Sequence, residues 1–354
     1  MAQFFDSQEL LEQVLCPVFI VENGIITMRN HAAQQRQIEP GTEIGELLST
    51  GKDEYTQFVE GSLCLSLCVG KVNYAATVTR KDDRDVFYLE SEYADPELRA
   101  FALASQALRD PLANALSSMD MMLSDPKTAP AAKQLADINR NLHQIHRVVC
   151  NMSDTAAYSA KNPALAETRD AVALLEELLH KVRTLATEAG KDLQYSLPNR
   201  PINTLMYTEK FERAVLNLIS NALKYGSKDK SIFIKLEQQK QRLCLSVTNS
   251  IDNASASVYK NLFSYFLREP GIENTHSGIG LGITLVRNAA IAHGGTLLFD
   301  QPEPESVRFT LSVPIQRRKD MLLRSSVLLP IDYAGGYDHT LTELSDVLPS
   351  GLYE

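Results

Sequence analysis

Three polar side chains in an otherwise apolar segment have the types and spacing that suit a phosphate and a metal ion. Asn217, Asn221 and Lys224 lie four and three residues apart, so a helix would present them on one face. An amide oxygen can complete the octahedral shell of a Mg²⁺ ion held otherwise by water and phosphate, and a lysine can meet the phosphates as a point charge. Taken alone, two asparagines on a helix are more often surface residues or caps.

A glycine-rich turn further along the chain has the form of a second phosphate contact. It reads Ser277-Gly278-Ile279-Gly280-Leu281-Gly282 and opens a predicted helix. Glycines at a helix start let backbone amides approach a phosphate, where the helix dipole also favours negative charge. Such a turn is weak evidence by itself.

The two features together, in this order, resemble the N box and the second glycine box of the Bergerat ATP-binding fold found in histidine kinases and gyrases. Leu262-Phe263-Ser264-Tyr265-Phe266 resembles that family's F box, and His293-Gly294-Gly295 ends the following helix as in the family. The resemblance implies ATP and Mg²⁺ as cofactors, with Asn221 as the protein ligand of the Mg²⁺ ion. It implies a nucleotide site made of Asn217, Asn221, Lys224, Tyr225, Asn249, Gly278, Gly280, Leu281 and Gly282.

The family's first glycine box departs from its pattern in this chain. It aligns without gaps on Asn249-Ser250-Ile251-Asp252-Asn253, where neither glycine is present. The family's Asp accepts a hydrogen bond from adenine, and Asn249 can accept one only without charge assistance. A register that starts at Asp252 restores the Asp but misplaces the preceding strand, so we prefer Asn249. The resemblance therefore implies weakened nucleotide binding.

The elements that would position these residues are predicted to form a layered α/β domain. The resemblance implies that this domain is a two-layer sandwich. The periodicity predicts helices over 170–188, 209–225 and 281–293, and strands over 232–237, 243–248, 296–299 and 307–313.

Residues 96–158 carry heptad patterns that predict a helical hairpin with a break at Ser124-Asp125-Pro126. Because one hairpin cannot bury both apolar seams, the pattern favours a homodimer that forms a four-helix bundle. The alternative is a helical pair packed on its own neighbouring domains. The seam residues are Leu98, Phe101, Ser105, Leu108, Leu112, Ala115, Met119, Met122, Leu135, Ile138, Leu142, Ile145, Val149 and Met152.

The hairpin resembles the dimerisation domain of sensor histidine kinases, whose first helix carries a His-Glu-Leu-Arg-Thr-Pro-Leu motif. The matching stretch here is Gln106-Ala107-Leu108-Arg109-Asp110-Pro111-Leu112. Gln106 stands at the phosphoacceptor position, and a carboxamide has no lone pair suited to attack on a γ-phosphate. Ala107 replaces the assisting acid, and Asp110 replaces the Thr or Asn of members that act as phosphatases. No catalytic residue of the motif is intact.

These departures favour a signal-transduction pseudokinase that binds ATP. An active kinase of a two-component phosphorelay that uses another acceptor is the alternative, and an ATPase of another Bergerat branch is disfavoured by the Leu-Arg-x-Pro-Leu frame. His143 and His146 on the second helix are predicted to be solvated surface residues rather than acceptors or metal ligands. The resemblance implies a homodimer whose partner is a response regulator or an active histidine kinase.

The N-terminal region predicts a small α+β domain. Asn23-Gly24 joins two apolar runs in a hairpin, and further strands are predicted over 62–69, 72–79 and 86–90. This order, with Asn30-His31-Ala32-Ala33 after the hairpin, resembles a PAS sensor domain; an unrelated small sheet domain is the alternative. The chain is thus predicted to be an α+β multidomain protein with a PAS-like domain (1–92), a two-helix dimerisation domain (93–160) and an ATP-binding domain (161–316). A C-terminal extension, 317–354, follows, and no chemistry is assigned to it.

Composition narrows the classes of partner and compartment. The 354 residues carry a net charge of −9, which opposes affinity for nucleic acid or anionic lipid. The apolar run 14–21 is far shorter than the roughly 20 residues of a membrane-spanning helix, and the first residues lack a secretory signal. The five cysteines form no CxxC pair, so we expect a reduced cytoplasm. Cys64 and Cys68 alternate with apolar residues, which predicts a half-buried strand rather than a metal site.

Overall fold

The computed structural model describes residues 8–14, 16–81, 84–89, 108, 112–124, 131–157, 166–227, 230–251, 281–316 and 336–354. The chain divides into two compact units. Unit 1 comprises Met1–Ala94, Gln238–Gly280 and Ala290–Pro314, and unit 2 comprises Asp95–Glu237, Leu281–Ala289 and Ile315–Glu354. The predicted domains are continuous stretches of the chain, whereas each of these units combines several separate stretches. The predicted domain boundaries stay predictions.

The fold mixes helices and strands, as predicted. The helices are α1 (Gln8–Glu12), α2 (His31–Gln35), α3 (Ile44–Leu47), α4 (Lys52–Gln57), α5 (112–123), α6 (Ala132–Ala157), α7 (Ala171–Glu188), α8 (Thr208–Tyr225), α9 (Leu281–Ala292) and α10 (His339–Glu343), followed by a 3₁₀ turn, Ser350–Tyr353. The strands are β1 (Val18–Glu22), β2 (Ile25–Arg29), β3 (Gly61–Val69), β4 (Val72–Lys81), β5 (Arg84–Leu89), β6 (Glu167–Asp170), β7 (Leu193–Ser196), β8 (Asn203–Met206), β9 (Ile232–Gln239), β10 (Arg242–Ser250), β11 (Thr296–Asp300) and β12 (Ser306–Pro314).

Unit 1 is built on an antiparallel sheet with the order β2-β1-β5-β4-β3-β11-β12-β10. The predicted hairpin between β1 and β2 is confirmed. Its turn residues Asn23 and Gly24 have φ values of 52° and 79°, the left-handed backbone that a tight hairpin turn requires. Asn30 then caps α2: its side-chain oxygen accepts from the Ala33 amide at 2.9 Å and from the Val18 amide at 3.0 Å.

β3 lies inside this sheet, between β4 and β11, and pairs Cys64 with Leu297. The strand was predicted correctly, but its predicted half-burial is wrong, because side chains on both of its faces are buried. The backbones of β3 and β11 approach each other closely at the start of β3. A Cβ on Gly61, whose φ is +115°, would lie 2.3 Å from the carbonyl oxygen of Phe299. A side chain at this position would therefore push the two strands apart.

Aromatic rings fill the core of the N-terminal part of unit 1. Phe19 and Phe87 stack with centroids 4.9 Å apart, and Tyr55 lies 5.7 Å from Phe87. The hairpin and the further strands predicted for this region are present in the described residues. That the region is a separate small domain, and that it resembles a PAS domain, stay predictions.

Unit 2 contains long helices beside two short strand pairs, β6 with β8 (antiparallel) and β7 with β9 (parallel). The predicted helices at α7 and α8 are confirmed, and Asp170 caps α7 by accepting from the Val172 amide at 3.0 Å. Strands β6, β7 and β8 were not predicted, because four residues each, partly polar, give too short a pattern.

The predicted helical hairpin corresponds to α5 and α6, and its apolar seam is partly exposed within the chain. The exposed fractions are 46% for Met122, 45% for Ile138 and 49% for Ile145. Leu108, at the single described position before α5, is 52% exposed. The buried face of α6 combines Leu135 and Val149 of the seam with several polar residues, which are Asn139, His143, His146, Arg147 and Asn151. In the part of the chain that the structure describes, no helix is long and apolar enough to cross a membrane.

The polar face of α6 is covered by residues 336–354, which we call the C-terminal segment. Asp338 caps α10 by accepting from the Thr340 amide at 2.8 Å and the Leu341 amide at 3.1 Å. The segment also contacts α5, where the Tyr337 hydroxyl donates to the Ala113 carbonyl at 2.9 Å. The described part of the extension to which the sequence assigned no chemistry, residues 336–354, thus packs within unit 2.

Candidate functional site

Helix α8 brings the predicted phosphate-side residues together on one face, as the spacing indicated. The rest of its buried surface is mostly apolar, with Arg213 and Ser220 as the other buried polar residues. Asn217 is completely buried, Asn221 is half-buried, and the Lys224 side chain is 30% exposed. The three residues therefore form a series that runs from the interior of unit 2 towards solvent.

Asn217 uses its whole side-chain amide on other protein groups. Its Nδ2 donates to the carbonyl of Arg213 at 2.9 Å and to Oε2 of Glu343 at 3.2 Å. Its Oδ1 accepts from Nη2 of Arg147 at 3.3 Å. In this arrangement Asn217 is a structural residue. Its predicted contact with a nucleotide stays a prediction, and that contact would require some of these hydrogen bonds to break.

Gly282, at the start of α9, packs directly on Asn217. A Cβ at this position would lie 2.8 Å from Asn217 Oδ1, closer than real contacts allow. The absence of a side chain thus lets the start of α9 approach α8. This gives Gly282 a packing role within the glycine-rich turn.

Asn221 has the unsatisfied polar group that a ligand site would offer. Its Nδ2 atom is buried and has no hydrogen-bond partner among the described residues. A buried donor without an acceptor is costly, and a phosphate oxygen would satisfy it. The amide oxygen of the same side chain is a ligand that Mg²⁺ accepts. The donor set at Asn221 and Lys224 therefore fits a nucleotide phosphate with its metal ion.

Lys224 has an acidic neighbour from the C-terminal segment. Its Nζ lies 4.0 Å from Oδ2 of Asp346, and the same oxygen is 2.8 Å from Nη1 of Arg147. Lys224 also lies over the ring of Tyr225, 5.5 Å from its centroid. Burial first, and second the Asp346 carboxylate, raise the pKa of Tyr225 above its ordinary value.

A buried charge cluster lies beneath this face. The Glu343 side chain has no exposed surface, and its two oxygens lie 3.1 Å from Nε of Arg147 and 3.1 Å from Nε of Arg213. Arg213 also donates to Asn151 at 2.7 Å. Sequence reasoning missed these residues. The one local signal was an arginine inside the apolar run of α8; Glu343 is distant in sequence.

The adenine-side candidate Asn249 lies in unit 1, on β10. It is buried, and its Nδ2 donates to the carbonyl of Ser250 at 3.3 Å. The predicted residues that fall outside the described part of the chain include Gly278 and Gly280 of the glycine turn, the F box at 262–266, and Gln106, Ala107 and Asp110 of the motif. The seam residues Leu98, Phe101 and Ser105 also fall outside it. The backbone of Leu281 begins α9, and its side chain is among the groups not described.

His143 and His146 were predicted to be surface residues, and this is wrong: they are 5% and 1% exposed. The C-terminal segment covers them. His143 Nδ1 lies 3.2 Å from the hydroxyl of Thr342, and the His146 ring lies edge-on to Tyr337 with centroids 6.0 Å apart. Burial, and second the proximity of His146, lower the pKa of His143 from 6.5 to about 4. Both rings are part of the packing between α6 and the segment.

Comparison with known proteins finds a family match over the part of the chain that contains α8. Residues 207–317 match the family described as histidine kinase-, DNA gyrase B- and HSP90-like ATPase. This part of the chain is therefore similar to the ATPase domains of that family. Because the matched family consists of ATPase domains, the match implies ATP as the nucleotide. The matched residues include α8, with its two asparagines and lysine, and Asn249 on β10.

Curated relatives are sensor histidine kinases. The chain is 26% identical over 256 residues to hybrid signal transduction histidine kinase D of Dictyostelium discoideum, covering 69% of this chain and 16% of that protein. It is 28% identical over 213 residues to sensor protein IrlS of Burkholderia pseudomallei (58% and 45%) and 25% identical over 220 residues to BaeS of Escherichia coli (60% and 46%). The chain thus spans less than half the length of each of these three relatives.

Among solved structures, full-length ShkA in complex with AMPPNP superposes with a TM-score of 0.48 at 17% identity, over 62% of this chain and 46% of that one.

The buried state of His143 predicts a dependence of stability on pH. Its pKa is lower in the folded than in the unfolded protein, so the unfolded state binds a proton first as the pH falls. The free energy of unfolding should therefore fall between about pH 6.5 and pH 4, by about 2 kcal/mol at pH 5 relative to pH 7.5. Urea unfolding followed by circular dichroism measures it.

His143→Gln should remove this part of the pH dependence, whereas replacing the exposed His180 on α7 in the same way should leave it unchanged. Equal slopes for wild type and His143→Gln between pH 7.5 and pH 5 would show that His143 is not held neutral.

Proposed function

We propose that this chain is a histidine kinase-like signal-transduction protein that binds ATP with Mg²⁺ but does not phosphorylate itself on histidine. The observation that carries the proposal is the loss of an accessible acceptor. Gln106 occupies the acceptor position of the motif, and the two histidines of α6, the other candidates in 93–160, are buried under the C-terminal segment.

The residues retained for nucleotide binding support the first half of the proposal. Asn221 would hold the metal ion and a phosphate oxygen through its amide, and Lys224 would neutralise phosphate charge. Bound Mg²⁺ would supply charge neutralisation at the phosphates. On the adenine side, Asn249 offers an amide oxygen in place of a carboxylate, which costs charge assistance on the order of 1 kcal/mol. Phosphate recognition is thus better preserved than base recognition.

ATP is therefore expected to bind weakly and with dependence on Mg²⁺. Asn221→Ala should remove most of that dependence and weaken binding in Mg²⁺ about tenfold, which corresponds to the loss of one charge-assisted contact. Isothermal calorimetry with ATP, ADP and GTP, with and without Mg²⁺, measures this.

Asn141→Ala is the matched control for that titration, since Asn141 is an exposed asparagine on α6. Binding that is undetectable at millimolar ATP in every variant would refute the nucleotide site.

Incubation with γ-labelled ATP and Mg²⁺ should leave no acid-labile phosphate on the protein, because Gln106 offers no nucleophile and His143 is enclosed. Labelled protein is followed by autoradiography after acid and base treatment. Stoichiometric acid-labile label would support the active kinase instead, and its disappearance in His143→Ala would place the acceptor on α6.

We further propose that the protein acts as a homodimer through 96–158, and that a response regulator or an active histidine kinase reads its state. The exposed apolar residues of the hairpin support this, because Met122, Ile138 and Ile145 are each close to half exposed in the single chain. A second copy would cover them in a four-helix bundle.

Sedimentation of the full chain should show two copies at micromolar concentration. Ile145→Glu should shift the protein towards monomer, because dimerisation would then bury an unpaired charge. Val59→Glu is the control, since Val59 is 82% exposed and lies in unit 1. A wild-type monomer at micromolar concentration would contradict the dimer.

A further inference from the structure

Polar contacts join the C-terminal segment to the helices of unit 2, in addition to its buried apolar residues Leu344 and Leu348. On α6, Asn139 donates to the Tyr353 carbonyl at 3.0 Å, and Arg140 and Gln144 donate to the Ser345 carbonyl at 3.1 and 3.0 Å. On α7, Lys181 pairs with Asp338. Burial alone would raise the pKa of Asp338, but its hydrogen bonds, first from Lys181 and then from the Leu341 amide, hold the pKa below its usual value.

Two carboxylates of the segment reach the face of α8 that carries the proposed phosphate site. Glu343 is bonded to Asn217 at 3.2 Å, and Asp346 lies 4.0 Å from Nζ of Lys224. Both carboxylates also bond to Arg147, at 3.1 and 2.8 Å. The segment therefore places negative charge on the first and last members of the series Asn217, Asn221 and Lys224, while the amide nitrogen of Asn221 keeps no partner among the described residues.

We propose that the C-terminal segment is an intramolecular competitor of the nucleotide phosphates. Carboxylates and phosphates are recognised by the same arginine and lysine groups, so a carboxylate held at Lys224 reduces the attraction of that site for a phosphate. With the segment docked, Asn217 is fully bonded and Lys224 is partly neutralised. Nucleotide binding and docking of the segment oppose each other. The proposal rests on the proposed nucleotide site at Asn221 and Lys224.

The charges of the cluster show how the competition works. Arg147, Arg213 and Lys224 carry three positive charges, against the two negative charges of Glu343 and Asp346. Asp346 is the replaceable member, because its side chain is 35% exposed, whereas Glu343 is fully enclosed. A nucleoside polyphosphate that approaches Lys224 from solvent would displace Asp346 first and would then weaken the hold of Arg147 on the segment.

The test compares ATP binding by the full chain with and without the competing charge. Asp346→Asn keeps the shape of the side chain and removes its charge, so the affinity for ATP with Mg²⁺ should rise about threefold to fivefold. Glu343→Gln, which weakens the anchor, should raise it at least as much if the variant folds. Asp137→Asn removes an exposed charge elsewhere on α6 and should leave the affinity unchanged.

Hydrogen exchange gives a second readout that does not depend on the variants. In the wild-type chain, saturating ATP with Mg²⁺ should accelerate amide exchange in 339–353, as the segment is released. Unchanged exchange together with equal ATP affinity of wild type and Asp346→Asn would overturn the competition and leave the nucleotide site standing. Failure of wild type, Asp346→Asn and Glu343→Gln alike to bind ATP at millimolar concentration would remove the nucleotide site, and the competition with it.

Discussion

The Glu343 carboxylate is buried without exposed surface and is bonded to two arginines from different helices, Arg147 of α6 and Arg213 of α8. A charge in this environment is tolerated only while its partners stay in place, and removing one partner from a buried pair typically costs about 3 to 5 kcal/mol. The cluster therefore fixes the relative position of α6, α8 and α10. The orientation of Asn217, the burial of the α6 histidines and the position of Asp346 near Lys224 all depend on this arrangement.

Because of this constraint, the three retained polar residues of the N-box helix have different roles in the structure. In the sequence, Asn217, Asn221 and Lys224 are three equivalent candidates on one helix face. In the structure they differ: Asn217 is bonded on every polar atom, Asn221 keeps a buried unsatisfied nitrogen, and Lys224 faces an acid. A residue type preserved in a motif can thus serve packing, binding or regulation, and only its partners distinguish these roles.

The sequence predicted what depends on local periodicity and turn chemistry. Helices α7 and α8, strands β9 to β12 and the Asn23-Gly24 turn follow from patterns within a few residues. What it missed depends on pairs distant in the chain. The prediction that His143 is exposed failed because Thr342, 199 residues later, covers it. The prediction that β3 is half-buried failed because burial of its second face cannot be seen from the alternation of its own residues. The candidate site was found by its motif, but its acidic neighbours were not.

The pairing of β3 with β11 has a consequence for synthesis of the chain. Cys64 lies opposite Leu297 in the register of the two strands, so one edge of β3 stays open until more than two hundred further residues have been made. An open strand edge is a template for pairing with other chains, and sheets with such distant contacts form slowly. We expect the nascent N-terminal half to depend on chaperones for most of translation, and translation speed between these strands to influence the yield of folded protein.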